Sequence, residues 1–280
     1  MKDKVVVITG ATSGIGEVAA QTLAGMGARI VLVARNAARG QKTLTRLPSA
    51  GAGAAHCIYY GDLSRIFECK RVAAEIAAAE PRIDVLINNA GALFGSRRVT
   101  SDDLEETFAT NHMAYFVLTL GLRASLSAAG RARVVSTASD AHKGYTLDFD
   151  DLQSTKGYSA IRAYGRSKLC NILFTRELAR RWAGTDVTAN CLHPGFVATR
   201  FGDGSGGLIS SVVRIAKTFA ITPEKGAQTI VYLASSPDVA AISGEYFYKC
   251  RPATPTAGGR DDAAARRLWT ESAKIAGIEA

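Results

Sequence analysis

Val5-Val6-Val7-Ile8-Thr9-Gly10-Ala11-Thr12-Ser13-Gly14-Ile15-Gly16 is the stretch that decides how the chain folds. Val5 to Thr9 is short, apolar and rich in β-branched residues, the pattern of a parallel strand buried on both faces. Behind it, Gly16 to Met26 has helical spacing with small residues. Between the two, glycines at 10, 14 and 16 permit a tight turn and let a pyrophosphate reach backbone N–H groups at a helix N-terminus. The spacing differs from the common Gly-x-Gly-x-x-Gly, and glycines alone would make only a sharp turn. The buried strand in front and the small-residue helix behind favour dinucleotide binding.

Outward from that turn, strand and helix alternate. Arg29–Ala34 is the next strand, followed by a helix over Ala37–Leu47, a strand at His56–Tyr60, a helix over Ser64–Ala79 and a strand at Ile83–Asn88. Ser101 to Ala129 reads as one long helix, with Thr100 or Ser101 as N-cap and Asp102, Asp103, Glu105 and Glu106 where the helix dipole favours negative charge. Then come a strand at Arg133–Thr137, a helix from about Tyr158 through Leu178, and a strand at Val187–Cys191. A helix opened by Thr222-Pro223-Glu224 and a last strand at Glu245–Tyr248 complete the order. With no linker or repeat, this implies an α/β fold over residues 1–280: a single-domain, doubly wound parallel sheet of Rossmann type with helices on both faces. Two insertions break the rhythm, 141–157 and 201–221; the second carries Leu208, Val212, Ile215 and Phe219 at amphipathic spacing. Both follow carboxyl ends of strands, where open α/β sheets bind ligands, and are the expected walls of a substrate pocket. The second also reads as a surface helix, or as one resting on a membrane.

The composition is that of a folded globular protein: 280 residues, 47% hydrophobic and 21% charged. A net charge of +9 suits a polyanionic cofactor. Basic residues are scattered rather than clustered, so no nucleic-acid partner is expected. The five cysteines (Cys57, Cys69, Cys170, Cys191, Cys250) show no metal-ligand spacing and read as buried thiols of a reducing compartment, with no metal. No apolar run is long enough for a signal peptide core or a membrane span, so a cytoplasmic protein is expected.

Tyr164-Gly165-Arg166-Ser167-Lys168 places a phenol and an ammonium four residues apart on one helix face. A cation held there favours the phenolate and brings tyrosine toward the range of acid/base catalysis; the pair also arises on helices by chance. Other candidates lie at strand ends. The second strand ends in Ala34-Arg35-Asn36, with no acid for a ribose diol and a guanidinium suited to a 2′-phosphate, which predicts NADP over NAD. Asp62 is placed for an adenine amino group, and Asn88-Asn89-Ala90-Gly91 lets backbone approach a cofactor ribose or is simply a turn. Ser139 can donate to a substrate carbonyl. His193-Pro194-Gly195-Phe196-Val197-Ala198-Thr199 forms a rigid turn whose Thr199 can hold a carboxamide. His142 and His193 read as structural.

Thr9-Gly10-x-x-x-Gly14-x-Gly16, Asp62, Asn88-Asn89-Ala90-Gly91, Asn111, Ser139, Tyr164-x-x-x-Lys168 and Pro194-Gly195 resemble, in order and spacing, the short-chain dehydrogenase/reductase family. Asn111-His112-Met113-Ala114-Tyr115-Phe116, Tyr164 through Asn171 and Leu268-Trp269-x-x-Ser272 are similar to its retinol dehydrogenase and WW-domain oxidoreductase branch. The resemblance implies NADP(H) and a hydrophobic carbonyl or alcohol. It makes Tyr164 the proton donor or acceptor. Lys168 would lower the Tyr164 pKa and bond the nicotinamide ribose, Ser139 would orient the substrate oxygen, and Asn111 would support a water relay. Its cofactor contacts fall on Gly10, Thr12, Ser13, Gly14, Ile15, Gly16, Arg35, Asn36, Asp62, Leu63, Asn89, Ala90, Gly91, Tyr164, Lys168, Pro194, Gly195, Val197 and Thr199. Ala138 stands where a serine is common beside the catalytic one, and the anchoring N-terminal segment of many retinol dehydrogenases is not seen. An NADP(H)-sensing regulator without turnover is the alternative, and a homodimer stays open.

Overall fold

The structure, a computed structural model, describes residues 1–49, 55–197 and 221–279. Its first five strands are β1 (Val5–Thr9), β2 (Arg29–Ala34), the edge strand β3 (Cys57–Tyr60), β4 (Val85–Asn88) and β5 (Ala132–Thr137). They are joined by β6 (Val187–His193), β7 (Tyr246–Tyr248) and β8 (Arg251–Ala253) in one sheet of order β3-β2-β1-β4-β5-β6-β7-β8. All pairings are parallel except β7 with β8, an antiparallel edge that sequence reading did not foresee. The chain runs outward from β1 through β2 to β3 and then returns to place β4 on the other side of β1. That reversal opens a crevice at the carboxyl ends of β1 and β4, where open α/β sheets bind ligands.

Alternate residues of each strand feed two cores. Val6 and Ile8 of β1, with Ile30, Leu32, Val85 and Ile87, pack under α1 (Gly14–Gly25) and the helix Pro223–Ser235. Val7, Val31, Val33, Leu86 and Val134 face the other way, onto α3 (Ile66–Ala79) and the helices Ala114–Gly121, Ala160–Arg181 and Asp262–Ala276. The short α2 (Ala37–Leu44) lies beside β2 and β3. Asp84 fastens the base of the sheet, accepting from Val5 N at 2.9 Å and from Lys4 Nζ at 2.9 Å.

The expected single helix over Ser101–Ala129 is three helices and a π-turn: α4 (Glu106–Phe108), a π-helical turn at Ala109–Met113, α5 (Ala114–Gly121) and α6 (Arg123–Ser127). The start moves to residue 106 because Glu105, buried, caps it, its two carboxylate oxygens accepting from Thr107 N and Phe108 N at 2.8 Å. Asp102, expected in that helix's first turn, instead accepts from Ile66 N at 2.7 Å at the start of α3. The helix α7 (Ala160–Arg181) is followed by α8 (Pro223–Ser235), which starts at the Thr222 cap and Pro223 as read, and by α9 (Asp262–Ala276). Helix α9 was missed as an element; its signals were Asp261, which caps Ala264 N at 2.9 Å, and Gly277 in the left-handed conformation at its end. Cys69, Cys170 and Cys191 are buried thiols as expected, whereas Cys57 and Cys250 are half-buried. Among the described residues no helix is long and apolar enough to cross a membrane.

Candidate active site

Helix α7 brings the two reactive groups of the sequence to the carboxyl end of β5. Ser159 caps it, its side chain accepting from Arg162 N, and one turn separates Tyr164 from Lys168. A glycine inside a helix weakens it, yet Gly165 is required here. A Cβ at that position would meet the Tyr145 ring and come to 2.6 Å of Ala141 O. The segment that follows Ser139 therefore passes directly against α7, and Ser139 reaches Tyr164 with a hydrogen bond. Ser139 also caps the 3-10 turn Asp140–His142, its Oγ accepting from Ala141 N at 3.1 Å.

Lys168 is 3% exposed; its Nζ donates to Thr137 O at 3.0 Å and lies 5.6 Å from the centre of the Tyr164 ring. Burial decides the electrostatics. It pushes the Lys168 ammonium down to about 7 and lifts the Tyr164 phenol well above its usual range, with the Ser139 hydrogen bond opposing the latter. The simple expectation that the cation lowers the phenol is therefore reversed, because desolvation of both groups exceeds their mutual effect. Tyr164 keeps part of its surface open to solvent even so.

Asn111 sits in the π-turn, a distortion that re-aims a helical side chain. Its Oδ1 accepts from Ala92 N at 2.7 Å, and its Nδ2 donates to Ala92 O and to Ser167 Oγ, both at 2.9 Å. It thus ties the loop after β4 to α7. Gly91 lies between the two, since a Cβ there would stand 3.4 Å from both Asn111 Oδ1 and Lys168 Nζ.

The glycine turn occupies the other side of the crevice. Ser13 precedes α1 without a side-chain cap, leaving the first N–H groups of the helix for a phosphate, and the one acid of the first turn, Glu17, pairs with Arg46 at 3.4 Å. Asn89 stitches this edge together: Nδ2 donates to Thr9 O at 3.1 Å and Gly10 O at 3.3 Å, while Oδ1 accepts from Thr137 Oγ1 at 3.3 Å. Thr9 Oγ1 accepts from Asn89 N at 3.0 Å and Ala90 N at 2.9 Å. Val197 and Ile15 meet over Gly226 of α8, where a Cβ would come to 2.7 Å of each, so the turn containing Pro194 and Gly195 closes on the glycine turn.

The family profile described as short chain dehydrogenase matches residues 4–205. This chain belongs to the short-chain dehydrogenase/reductase family. Human retinol dehydrogenase 14 is 38% identical to it, over 99% of this chain and 88% of that one. A Streptomyces sp. (strain C5) protein, assigned provisionally by its name as daunorubicin C-13 ketoreductase DnrU, is 39% identical over 98% of this chain and 93% of its own. Among solved structures, an uncharacterised protein from Mycobacterium paratuberculosis superposes with a TM-score of 0.78 at 29% identity, covering 99% of this chain and 95% of the other. A variant of actinorhodin polyketide ketoreductase with NADPH gives 0.68 at 26% identity, covering 88% and 97%. Within the family the chain stands in the retinol dehydrogenase-like branch, and it is an oxidoreductase of alcohol and carbonyl groups.

In this short-chain dehydrogenase, Gly91 lies close to Asn111 and Lys168, Lys168 lies beside Tyr164, and Asn89 ties Gly10 and Thr9 of the glycine turn to the end of β4. Other predicted contacts have local employment. Asn36 Oδ1 caps α2 through Arg39 N at 2.9 Å, and Asp62 Oδ1 holds Ser64 N at 3.1 Å and Ser64 Oγ at 2.9 Å. The Leu63 side chain is in the core, which leaves its main chain for a ligand. Arg35 is exposed at the end of β2, near enough to Glu106 to oppose the rise that burial causes in that carboxyl's pKa. Thr199 and the 201–220 part of the second insertion lie outside the described residues. The 141–157 insertion packs on α7, Arg166 Nη2 donating to Asp148 O at 2.8 Å and Asp151 O at 2.9 Å. His142 and His193 are structural, as expected: His142 Nδ1 holds Ser139 O at 2.7 Å, and His193 Nδ1 accepts from Asp140 N at 3.2 Å. Sequence reading gave no role to Asn171, His112 or Tyr115. All three are fully buried beside the site, and only the family resemblance of their motifs pointed to them.

Proposed function

We propose that this enzyme is an NADP(H)-dependent reductase of a hydrophobic carbonyl compound, reversible to the alcohol, with Tyr164 as general acid/base. The Ser139–Tyr164 hydrogen bond beside a buried Lys168 carries this reading. The phenol is protonated at neutral pH, the form in which it can give a proton to a carbonyl oxygen as that group is reduced. Bound NADPH would supply the hydride; Tyr164 delivers its proton to the substrate oxygen, and Ser139 Oγ donates to the same oxygen. Lys168 would bond the nicotinamide ribose while holding the Thr137 carbonyl. Asn111 keeps the loop after β4 in register with α7. The uncapped start of α1 would take the pyrophosphate, and Arg35, with no carboxylate at the end of β2, favours a 2′-phosphate. The NADPH in the related ketoreductase structure is consistent with that preference.

The test is fluorescence titration with NADPH and NADH, followed by NADPH oxidation against aldehydes, ketones and quinones. Tighter NADPH binding with turnover of at least one apolar carbonyl is expected. Tight binding with no turnover on any member would instead identify a nucleotide-sensing regulator.

A further inference from the structure

Behind Lys168, polar side chains continue into a region where apolar packing would be expected. The Thr137 carbonyl that accepts from Lys168 Nζ also accepts from Asn171 Nδ2 at 3.2 Å. With Nδ2 so committed, Asn171 Oδ1 is turned away from Thr137. Neither it nor His112 Nδ1 has a partner at bonding distance among the described residues, although the Asn171 side chain acts on the His112 imidazole as a hydrogen-bonding group that opposes the effect of burial. The other nitrogen, His112 Nε2, lies 2.8 Å from Ser272 Oγ on α9. Asn171, His112 and Ser272 are each 0% exposed.

One assignment of protons satisfies this chain of groups. Asn171 raises the His112 pKa as an accepting group does, which puts the hydrogen on Nδ1; Nε2 is then bare and accepts from the Ser272 hydroxyl. Burial pushes the imidazole down to about 3, so it stays neutral across the working range and cannot be a proton-transfer group there. Around it, aromatic rings seat α9 against α5 and α7. Phe116 meets Trp269 at 5.0 Å, Phe174 stacks on Trp269 at 6.0 Å, and His112 contacts Phe174 at 6.1 Å. The docking of α9 is thus secured by apolar contact and by the Arg176–Asp262 pair at 2.8 Å. The His112–Ser272 bond adds to that docking, and the polar groups lead on from it toward the carbonyl that Lys168 uses.

We propose that Ser272, His112 and Asn171 are positioning residues: a buried run of polar side chains, hydrogen-bonded at its α9 end and at the Thr137 carbonyl, that fixes where Lys168 holds its ammonium. The inference rests on the reading of Lys168 and Tyr164 given above. It makes the C-terminal helix part of the active-site scaffold, with the π-turn that carries Asn111 as the element in between.

Ser272→Ala removes one hydroxyl and Ser272→Thr keeps it. Hydrogen exchange over 109–113 is measured without nucleotide, and kcat, KM and Tm are measured with NADPH and nonanal. Ser272→Ala is expected to speed exchange at the π-turn and to lower kcat about tenfold, the effect of a small misplacement. Both KM values should stay within about twofold and Tm within a few degrees, and Ser272→Thr should restore exchange and kcat. Asn171→Leu, which keeps the volume, should lower kcat further at similar KM. Unchanged π-turn exchange in Ser272→Ala, or kcat that follows Tm across the set without rescue by threonine, would overturn the inference. Tyr164→Phe separates the two readings. If that variant is inactive while Ser272→Ala is normal, only this inference fails; if Tyr164→Phe is active, the acid/base reading fails and the exchange data still decide this one.

Discussion

Where β1 meets α1 the candidate site is made of main chain; where β5 meets α7 it is made of buried side chains. On the first side the groups offered to a ligand are peptide N–H groups at an uncapped helix start, held by Thr9 and Asn89 through neutral hydrogen bonds. None of them titrates. On the second side a lysine, a tyrosine and a histidine are buried beside the partly exposed Tyr164, and burial shifts each of the four toward its uncharged form. The comparison teaches that binding can be encoded in a short local segment at little electrostatic cost. On the second side burial disfavours the charge of Lys168, so that half carries an electrostatic cost at neutral pH that the first does not.

Three changes would break or sharpen that contrast. Lys168→Met should lower turnover by about 10² to 10³-fold, in line with general acid/base contributions, yet raise stability. The Lys168 pKa is lowered to about 7 in the folded chain, below the unfolded value of about 10.4. The unfolded chain therefore binds the proton more tightly between those values. The penalty is complete at pH 7 and below, shrinks as pH rises, and vanishes above about 10.4. Thermal and urea unfolding of the pair should show the variant more stable at pH 6.5, with the two converging by pH 10. A variant less stable at both pH values would place the lysine among structural residues.

Gly10→Val attacks the other side. Gly10 has φ +68°, and a Cβ there would come to 2.7 Å of Ala90 Cα, so the turn must open. NADPH affinity should fall by about 10-fold or more, with about 1 to 3 kcal/mol of stability lost to strain. Isothermal titration and unfolding report both, and the effect on affinity should show no pH dependence between 6 and 9. The smallest effect belongs to Arg35→Asp. It should shift the NADP/NAD preference about tenfold toward NAD without changing kcat on the preferred carbonyl. An unchanged ratio would mean that Arg35 serves only Glu106 and solvent.

Much of this was legible in residue order. The β1 run, the glycine turn and the strand–helix alternation follow from local pattern, and so does the shared helix face of Tyr164 and Lys168. Ser139 was marked by its place at a strand end and by family motif, Asn111 by family motif alone. The failures have one physical source, contacts between distant segments. The helix expected from Ser101 starts at Glu106 because Asp102 is drawn to Ile66 N and Glu105 takes the cap. The π-turn depends on Asn111 bonding Ala92 and Ser167, which no helical periodicity announces. The shifts of Tyr164 and Lys168 run opposite to the pairwise expectation because burial is a property of the assembled site. Helix α9 was named only through Leu268, Trp269 and Ser272, whose partners lie about 100 to 160 residues earlier.

The most direct test is Tyr164→Phe, read by NADPH binding and by single-turnover oxidation of NADPH on the best carbonyl substrate. The account predicts a loss of about 10³-fold or more in the chemical step with NADPH affinity within about twofold of wild type. Turnover retained within tenfold at unchanged affinity would contradict it.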